Sequence, residues 1–181
     1  MHLQETTLTS ETVYQGRILR ITKDTAQLED GSTALREVVH HGGGVGVVPL
    51  TDTGEVILVR QFRYPHHCAT LEIPAGKLEA GESTLTCGTR ELLEEAGATA
   101  DSMESLGCLL ATPAYDTEVI HLYLARGLHF TRQKLDEDEF LDVVRMPLQQ
   151  AVELVLRDEI RDSKTQIALM KAWLLTQDGQ K

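Results

Sequence analysis

Cysteine, aromatic and basic residues are scarce in this chain of 181 residues. Its three cysteines, Cys68, Cys87 and Cys108, form no CxxC pair, which argues against a zinc or redox centre and predicts free thiols. Aromatic residues make up 4%, and 17 Lys and Arg stand against 28 Asp and Glu, for a net charge of -11. Because nucleic acids and anionic membranes are bound by clustered basic residues, we expect neither as a partner.

Long apolar runs are also absent. No stretch approaches the roughly 18 to 20 apolar residues of a membrane span, and residues 1–9 lack the basic and apolar regions of a secretion signal. We therefore expect a cytoplasmic protein. Hydrophobic residues still make up 41% of the chain, which suffices for a core, and the length favours one compact domain with a small appendage.

The glycine triplet at residues 42–44 divides two kinds of pattern. Before it, β-forming residues and the hairpin signal Asp30-Gly31 predict a small antiparallel β-sheet within residues 1–42. After it, apolar strands alternate with amphipathic segments in residues 43–181. Helices are predicted at residues 83–96, 148–157 and 163–176, the last opened by a capping box of Ser163 and Gln166. The expected fold is α/β (α+β), with a mixed β-sheet sandwiched between helices.

Three carboxylates crowd one face of the helix predicted at residues 83–96. Glu91 and Glu95 lie one turn apart, with Glu94 close by, and Arg90 is placed to pair with Glu94 at i+4. Like charges repel, yet solvated acidic helix faces are common, so the cluster alone leaves a metal site and a solvated face equally open. Mg²⁺ or Mn²⁺ would stabilise the cluster, because these ions prefer carboxylate oxygens.

The spacing around these carboxylates resembles the Nudix box, G-x5-E-x7-R-E-U-x-E-E-x-G-U, where U is aliphatic. The matching residues are Gly76, Glu82, Arg90, Glu91, Leu92, Glu94, Glu95 and Gly97, and Ala98 is smaller than the usual last residue. The resemblance implies a Nudix hydrolase, in which a metal assists the attack of water on a diphosphate. It implies metal ligands at Glu91 and Glu95, an additional one at Glu94 and the backbone carbonyl of Ala75, with Glu82 orienting the loop.

The segments around the box resemble the ADP-ribose pyrophosphatase branch of this family, which acts on nucleoside diphosphate sugars. Residues 112–118 resemble its S-P-G-x-x-x-E signature, with Ala114 in place of Gly, and residues 36–39, 60–63 and 71–76 also look like this branch. The resemblance implies hydrolysis of ADP-ribose, with GDP-mannose or another nucleoside diphosphate sugar as the runner-up. A ligand sensor without turnover is the alternative of a different class. The residues predicted to bind substrate are Arg36, Arg63, Lys77, Pro113 and Glu118, and the arginine forks match phosphate oxygens.

The branch also implies a base and a quaternary structure. The acidic run at residues 136–142 corresponds to a loop that supplies the base, for which Glu137 is the first choice, with Glu139 as a supplementary metal ligand. The two roles can be exchanged, because a short acidic run aligns equally well with a shift. In the family the N-terminal sheet is exchanged between subunits, so we expect residues 1–42 to form a homodimer in which Arg36 acts across the interface. A monomer is the alternative.

Overall fold

The computed structural model describes residues 2–135 and 139–178. The chain divides into two compact units, one formed by Met1–Gly43 with Leu110–Val119, the other by Gly44–Leu109 with Ile120–Lys181. The inclusion of Leu110–Val119 in the first unit was not expected from the sequence. Among the described residues, no helix combines the length and the apolar character that a bilayer crossing requires.

The first unit contains an antiparallel sheet of three strands in the order β1-β2-β3. Its strands are β1 (Thr6–Gln15), β2 (Arg20–Gln27) and β3 (Thr33–His40). The turn between β2 and β3 contains Asp30 and Gly31, as predicted: the backbone N–H of Ser32 donates to Asp30 Oδ1 at 2.9 Å, and Gly31 has a φ of +83°. The segment 110–119 joins this unit through β3, because Val39 N–H donates to Tyr115 O at 2.7 Å.

In its described residues, the second unit contains two sheets and three α-helices. One sheet has the order β7-β4-β9-β8, and the other has the order β10-β5-β6. Their strands are β4 (Gly44–Pro49), β5 (Glu55–Arg63), β6 (Cys68–Glu72), β7 (Ala75–Lys77), β8 (Ala98–Leu110), β9 (Val119–Phe130) and β10 (Leu141–Pro147). The helices are α1 (Thr84–Ala96), α2 (Leu148–Leu156) and α3 (Ser163–Asp178).

Strand β4 is the centre of the second unit. It runs parallel to β9 and antiparallel to β7, so its sheet is mixed, and every residue of the strand is buried. Helices α1 and α3 both contact β4. The core includes Val45 and Val47 of this strand, Ile57 of β5, and Leu92 of α1. This arrangement confirms the mixed α+β fold expected from the sequence.

Strand β8 begins at Ala98, because Gly97 ends α1 in the left-handed region and the chain enters the strand at once. One local prediction was wrong. Helix α3 is capped by Asp162 and not by Ser163: Asp162 Oδ2 accepts the backbone N–H of Thr165 at 2.9 Å. Asp162 therefore stands at the entrance of the helix and Ser163 is its first residue.

Candidate active site

Helix α1 is fixed at both ends, so its acidic face has a defined position. At the start, Ser83 Oγ accepts the backbone N–H of Thr86 at 3.1 Å. At the end, Gly97 has a φ of +60° and donates its N–H to Leu93 O at 3.1 Å. A Cβ added at Gly97 would lie 2.8 Å from Thr131 O, so only glycine fits this close crossing of the chain.

Glu91 lies against the backbone of strand β7. Glu91 is only 7% exposed. A Cβ added at Gly76 would lie 1.7 Å from Glu91 Oε1. The first glycine of the box is therefore required because the Glu91 carboxylate occupies the space of a side chain. Burial raises the pKa of Glu91.

Glu95 is the most deeply buried carboxylate of the box, at 3% exposure. Its Oε2 accepts the backbone N–H of Ala75 at 2.8 Å, so Ala75, the residue before the box, lies against the Glu95 carboxylate. Burial raises the pKa of Glu95 to about 8, and the charge of Glu91 adds to this effect, while the hydrogen bond from Ala75 opposes it.

Arg90 connects the loop of the box to the helix. Its Nε and Nη2 donate to the two oxygens of Glu82 at 3.0 Å each, and its Nη1 donates to Glu91 Oε1 at 2.6 Å and Glu94 Oε2 at 2.9 Å. The pair of Arg90 with Glu94 at i+4 is thus formed as predicted. Glu82 also accepts the backbone N–H of Glu79 at 3.1 Å, which suits a residue that orients the loop.

These carboxylates fit a divalent cation by their chemistry. Glu91 and Glu95 are two buried, like-charged groups with hard oxygen donors, and burial disfavours their charged forms until a cation compensates them. Within residues 2–135 and 139–178, no three His, Cys, Asp or Glu side chains already form a metal cluster. In this arrangement Arg90 Nη1 donates to both Glu91 and Glu94.

Of the acidic run at residues 136–142, the structure describes residues 139–142, and Glu139 is the predicted site residue among them. This residue is exposed, and its negative charge raises the pKa of both Glu91 and Glu95, so it lies within electrostatic range of them. Glu137, the first choice for the base, lies outside the described residues. The assignment of the base and the supplementary ligand stays a prediction.

The chain leading to that run is attached to the C-terminal end of α1. Gln133 Nε2 donates to Glu95 O at 2.6 Å, and Lys134 N–H donates to Glu94 O at 3.0 Å. The last turn of a helix has free carbonyl groups, and these bonds satisfy two of them. Sequence reasoning missed Gln133, since no local pattern indicates which carbonyl a loop amide will meet.

Arg63, a predicted substrate residue, is held by a buried carboxylate. Its Nε and Nη2 donate to Glu72 at 2.7 and 2.6 Å, and Lys164 Nζ donates to the same carboxylate at 2.5 Å. Although burial by itself would raise the pKa of Glu72, Arg63 and Lys164 lower it to about 2. Glu72 stood in the segment that resembles the branch, but Lys164 had no sequence signal, because it lies 92 positions further along.

The other predicted substrate residues are placed as follows. In the first unit, Arg36 donates from Nε and Nη2 to Glu5 at 2.9 and 2.6 Å. Glu118 Oε1 lies 3.2 Å from His41 Nδ1 in the same unit, which also contains Pro113. In the second unit, Lys77 is exposed, and its carbonyl accepts from Arg90 Nη2 at 3.2 Å. Their roles toward substrate stay predictions.

Comparison with known families and proteins agrees with this site. The NUDIX domain model matches residues 40–168, and the model of the nucleoside diphosphate sugar hydrolase N-terminal domain matches residues 5–39. The chain therefore belongs to the Nudix family, and it is a Nudix hydrolase.

Similar proteins carry more specific names. The chain is 39% identical to the "Methanol dehydrogenase activator" of Bacillus methanolicus, over 92% of this chain and 91% of the relative. It is 38% identical to the "ADP-ribose pyrophosphatase" of Bacillus subtilis (strain 168), with the same two coverages. A crystal structure of an "ADP compounds hydrolase" superposes with a TM-score of 0.82 at 25% identity and covers 96% of each chain.

Proposed function

We propose that the protein is a divalent-metal-dependent pyrophosphohydrolase of nucleoside diphosphate sugars, with ADP-ribose as its main substrate and AMP and ribose 5-phosphate as products. The observation that supports this most is the buried pair of Glu91 and Glu95 against the backbone of Ala75 and Gly76. The relative named ADP-ribose pyrophosphatase supports the choice of substrate. Mg²⁺ is the proposed cation, with Mn²⁺ as the other candidate.

In this proposal Glu91, Glu95 and the carbonyl of Ala75 hold the cation, with Glu94 and Glu139 as additional oxygen donors. When bound, the cation neutralises charge on the diphosphate and lowers the pKa of a water molecule. Arg90 keeps the loop and the helix carboxylates in fixed relation, and Arg63 donates to a phosphate oxygen.

The base accepts the proton of the attacking water, and Glu137 is the proposed base. As the new bond from the water oxygen to phosphorus forms, the bond between that phosphorus and the bridging oxygen breaks, and the leaving phosphate keeps the bridging oxygen. Glu137→Gln should lower kcat with little change in KM. If Glu139→Gln is far more damaging to kcat, the two roles are exchanged.

Turnover of a substrate panel tests the function. We expect hydrolysis of ADP-ribose with Mg²⁺ to give AMP, read by chromatography, and a sugar phosphate that becomes sensitive to alkaline phosphatase. Glu95→Gln should lower kcat by at least about a hundredfold, because it removes a charged donor from the cation. Glu79→Gln is the matched control, because Glu79 is exposed in the same loop, and it should keep wild-type kinetics.

Two outcomes of the panel would change the proposal. Faster hydrolysis of GDP-mannose or another nucleoside diphosphate sugar would change the substrate assignment, since no described residue identifies the nucleobase of the substrate. Tight binding without hydrolysis of any member would favour the ligand sensor. Location in the cytoplasm stays a prediction that this panel does not address.

We also propose a homodimer formed through the N-terminal unit, with Arg36 acting on the partner's substrate. All residues of β1 are exposed in the single chain, and exposed apolar side chains of this unit include Leu8, Val13, Ile18 and Leu35. Sedimentation equilibrium should give twice the chain mass. Val13→Asp should shift the mass toward the monomer, whereas a wild-type mass of a single chain would contradict the dimer.

A further inference from the structure

The buried carboxylate of Glu72 ends strand β6 outside the proposed set of metal ligands. It is 1% exposed and accepts hydrogen bonds from Arg63 of β5, from Lys164 of α3 and from Thr70 Oγ1 at 2.5 Å. Its two oxygens are thus shared between two cations. A buried ion network is weak support for stability by itself, because the desolvation of its charges offsets much of their attraction.

The attachment of α3 to this region does not require the charge of Lys164. Asp162 caps the helix through the N–H and the hydroxyl of Thr165, and Thr165 Oγ1 accepts the backbone N–H of Ile73 at 2.9 Å. These bonds already fix the first turn of α3 to the chain that follows Glu72. Lys164 is therefore available for a different task.

The cluster holds two positive and two negative side chains. Lys164 Nζ donates to Glu72 at 2.5 Å and to Asp162 Oδ1 at 2.9 Å, so the lysine shares the charge of both carboxylates with Arg63. The Arg63 side chain is 40% exposed, and within the described part of the chain its Nη1 has no hydrogen-bond acceptor. The charge of Glu95 also acts on Arg63, so the guanidinium lies within electrostatic range of the proposed metal ligands.

We propose that the Glu72–Lys164 pair is a positioning device for Arg63: Glu72 fixes the plane of the guanidinium through two bonds, and Lys164 takes up part of the negative charge of Glu72, so that Arg63 can also pair with a phosphate of the substrate. This inference rests on the proposed function, in which Arg63 binds the diphosphate. Two parallel hydrogen bonds to one carboxylate hold the planar fork in one orientation, and a fork held before binding loses less entropy on binding. Glu72 and Lys164 are positioning residues and touch no substrate.

The first test changes Glu72 and Lys164 together. Glu72→Gln with Lys164→Met removes one buried charge of each sign, so the net charge of the cluster does not change, but Arg63 loses its anchor. We expect KM to rise about tenfold while kcat stays within about threefold. The Kd for α,β-methylene ADP-ribose, in which a CH₂ group replaces the bridging oxygen, should rise by about the same factor as KM. Lys171→Gln is the control, because Lys171 lies on the same helix and donates to Leu106 O at 2.6 Å.

Two readouts separate positioning from a structural role. Mn²⁺ affinity, measured by electron paramagnetic resonance, should be unchanged, because neither residue contacts Glu91 or Glu95 among the contacts described. A parallel loss of Mn²⁺ affinity, or a lower Tm with unchanged KM and Kd, would overturn the inference. When the double change is added to Arg63→Gln, the triple variant should have the same KM and Kd as Arg63→Gln alone. A further tenfold rise in KM and Kd would also overturn the inference.

Failure of the proposed function gives a different result. Wild-type protein that binds the methylene analogue but hydrolyses no nucleoside diphosphate sugar would contradict the proposed activity, and the positioning role would still be tested by Kd. Wild-type protein that does not bind the analogue would overturn both.

Discussion

Replacement of Glu72 by glutamine should destabilise the protein strongly at neutral pH. The carboxylate is 1% exposed, and Arg63 and Lys164 hold its pKa at about 2, compared with 4.5 for an ordinary glutamate. Each pKa unit corresponds to about 1.4 kcal/mol, so the ionised form contributes about 3 kcal/mol at pH 7. Removal of one partner from a buried ion pair costs a similar amount, about 3 to 5 kcal/mol. We expect Glu72→Gln to lower the free energy of unfolding by about 3 kcal/mol.

The effect should depend on pH in a defined direction. The pKa of Glu72 is lower in the folded chain than in the unfolded chain, so the unfolded chain binds the proton more tightly. The stabilisation is therefore complete above about pH 5 and is lost as the pH falls toward about 2. Glutamine binds no proton in this range. The difference in free energy between wild type and Glu72→Gln should shrink from about 3 kcal/mol at pH 7 to about 1 kcal/mol at pH 3.

Urea denaturation followed by circular dichroism at pH 7, 5, 4 and 3 measures this difference. The comparison of two chains cancels the titration of the other carboxylates, including Glu95, whose pKa is displaced in the opposite direction. Glu153→Gln is the control, because Glu153 is exposed on α2, and it should differ from wild type by less than about 0.5 kcal/mol at every pH. A difference at pH 7 below about 1 kcal/mol, or one that stays constant with pH, would refute the reasoning.

Three further substitutions test the backbone and the arginine of the box. In Gly76→Ala the new Cβ would lie 1.7 Å from Glu91 Oε1, so the carboxylate must move. We therefore expect Mn²⁺ affinity and kcat to fall at least about tenfold, and unchanged Mn²⁺ affinity would contradict this. Gly97→Ala places a side chain at a φ of +60° and 2.8 Å from Thr131 O, so urea denaturation should show a free energy of unfolding lower by about 1 to 3 kcal/mol. A loss of less than about 0.5 kcal/mol would contradict the crowding. Arg90→Lys keeps the charge but loses the fork, and steady-state kinetics should show kcat about tenfold lower; a wild-type kcat would show that the charge alone suffices.

The helix of the box was largely predictable from the sequence because its constraints are local. The spacing of Glu91 and Glu95 places both on one face of α1, and Ser83 and Gly97 are the residue types that begin and end helices. The structure adds what Gly76 is for, since only the packed position of Glu91 shows that a side chain has no room there. A glycine at a fixed position of a motif indicates that another group lies close to its backbone, but only the folded structure shows which group it is.

The support of Arg63 was not predictable, because it depends on contacts between distant parts of the chain. Lys164 reaches Glu72 from 92 positions away, and the cap of α3 is Asp162, one residue before the expected cap Ser163. Neither contact produces a periodic pattern or a motif. The return of residues 110–119 to the first unit is a similar case, since its backbone bond from Val39 to Tyr115 leaves no trace in side-chain types.

The first turn of α3 connects two parts of the proposed site through short chains of contacts. Lys164 acts on Glu72 and so on Arg63, whereas Thr165 holds Ile73, two residues before the backbone N–H that binds Glu95. A substitution in this turn therefore has two possible consequences, one on the guanidinium proposed to bind phosphate and one on the carboxylate proposed to bind metal. Loss of the Lys164 charge should change substrate affinity alone, while Thr165→Val removes the acceptor for Ile73 N–H and should change Mn²⁺ affinity as well. If loss of the Lys164 charge also changes Mn²⁺ affinity, the turn supports the site as one rigid body and the two routes are not separate.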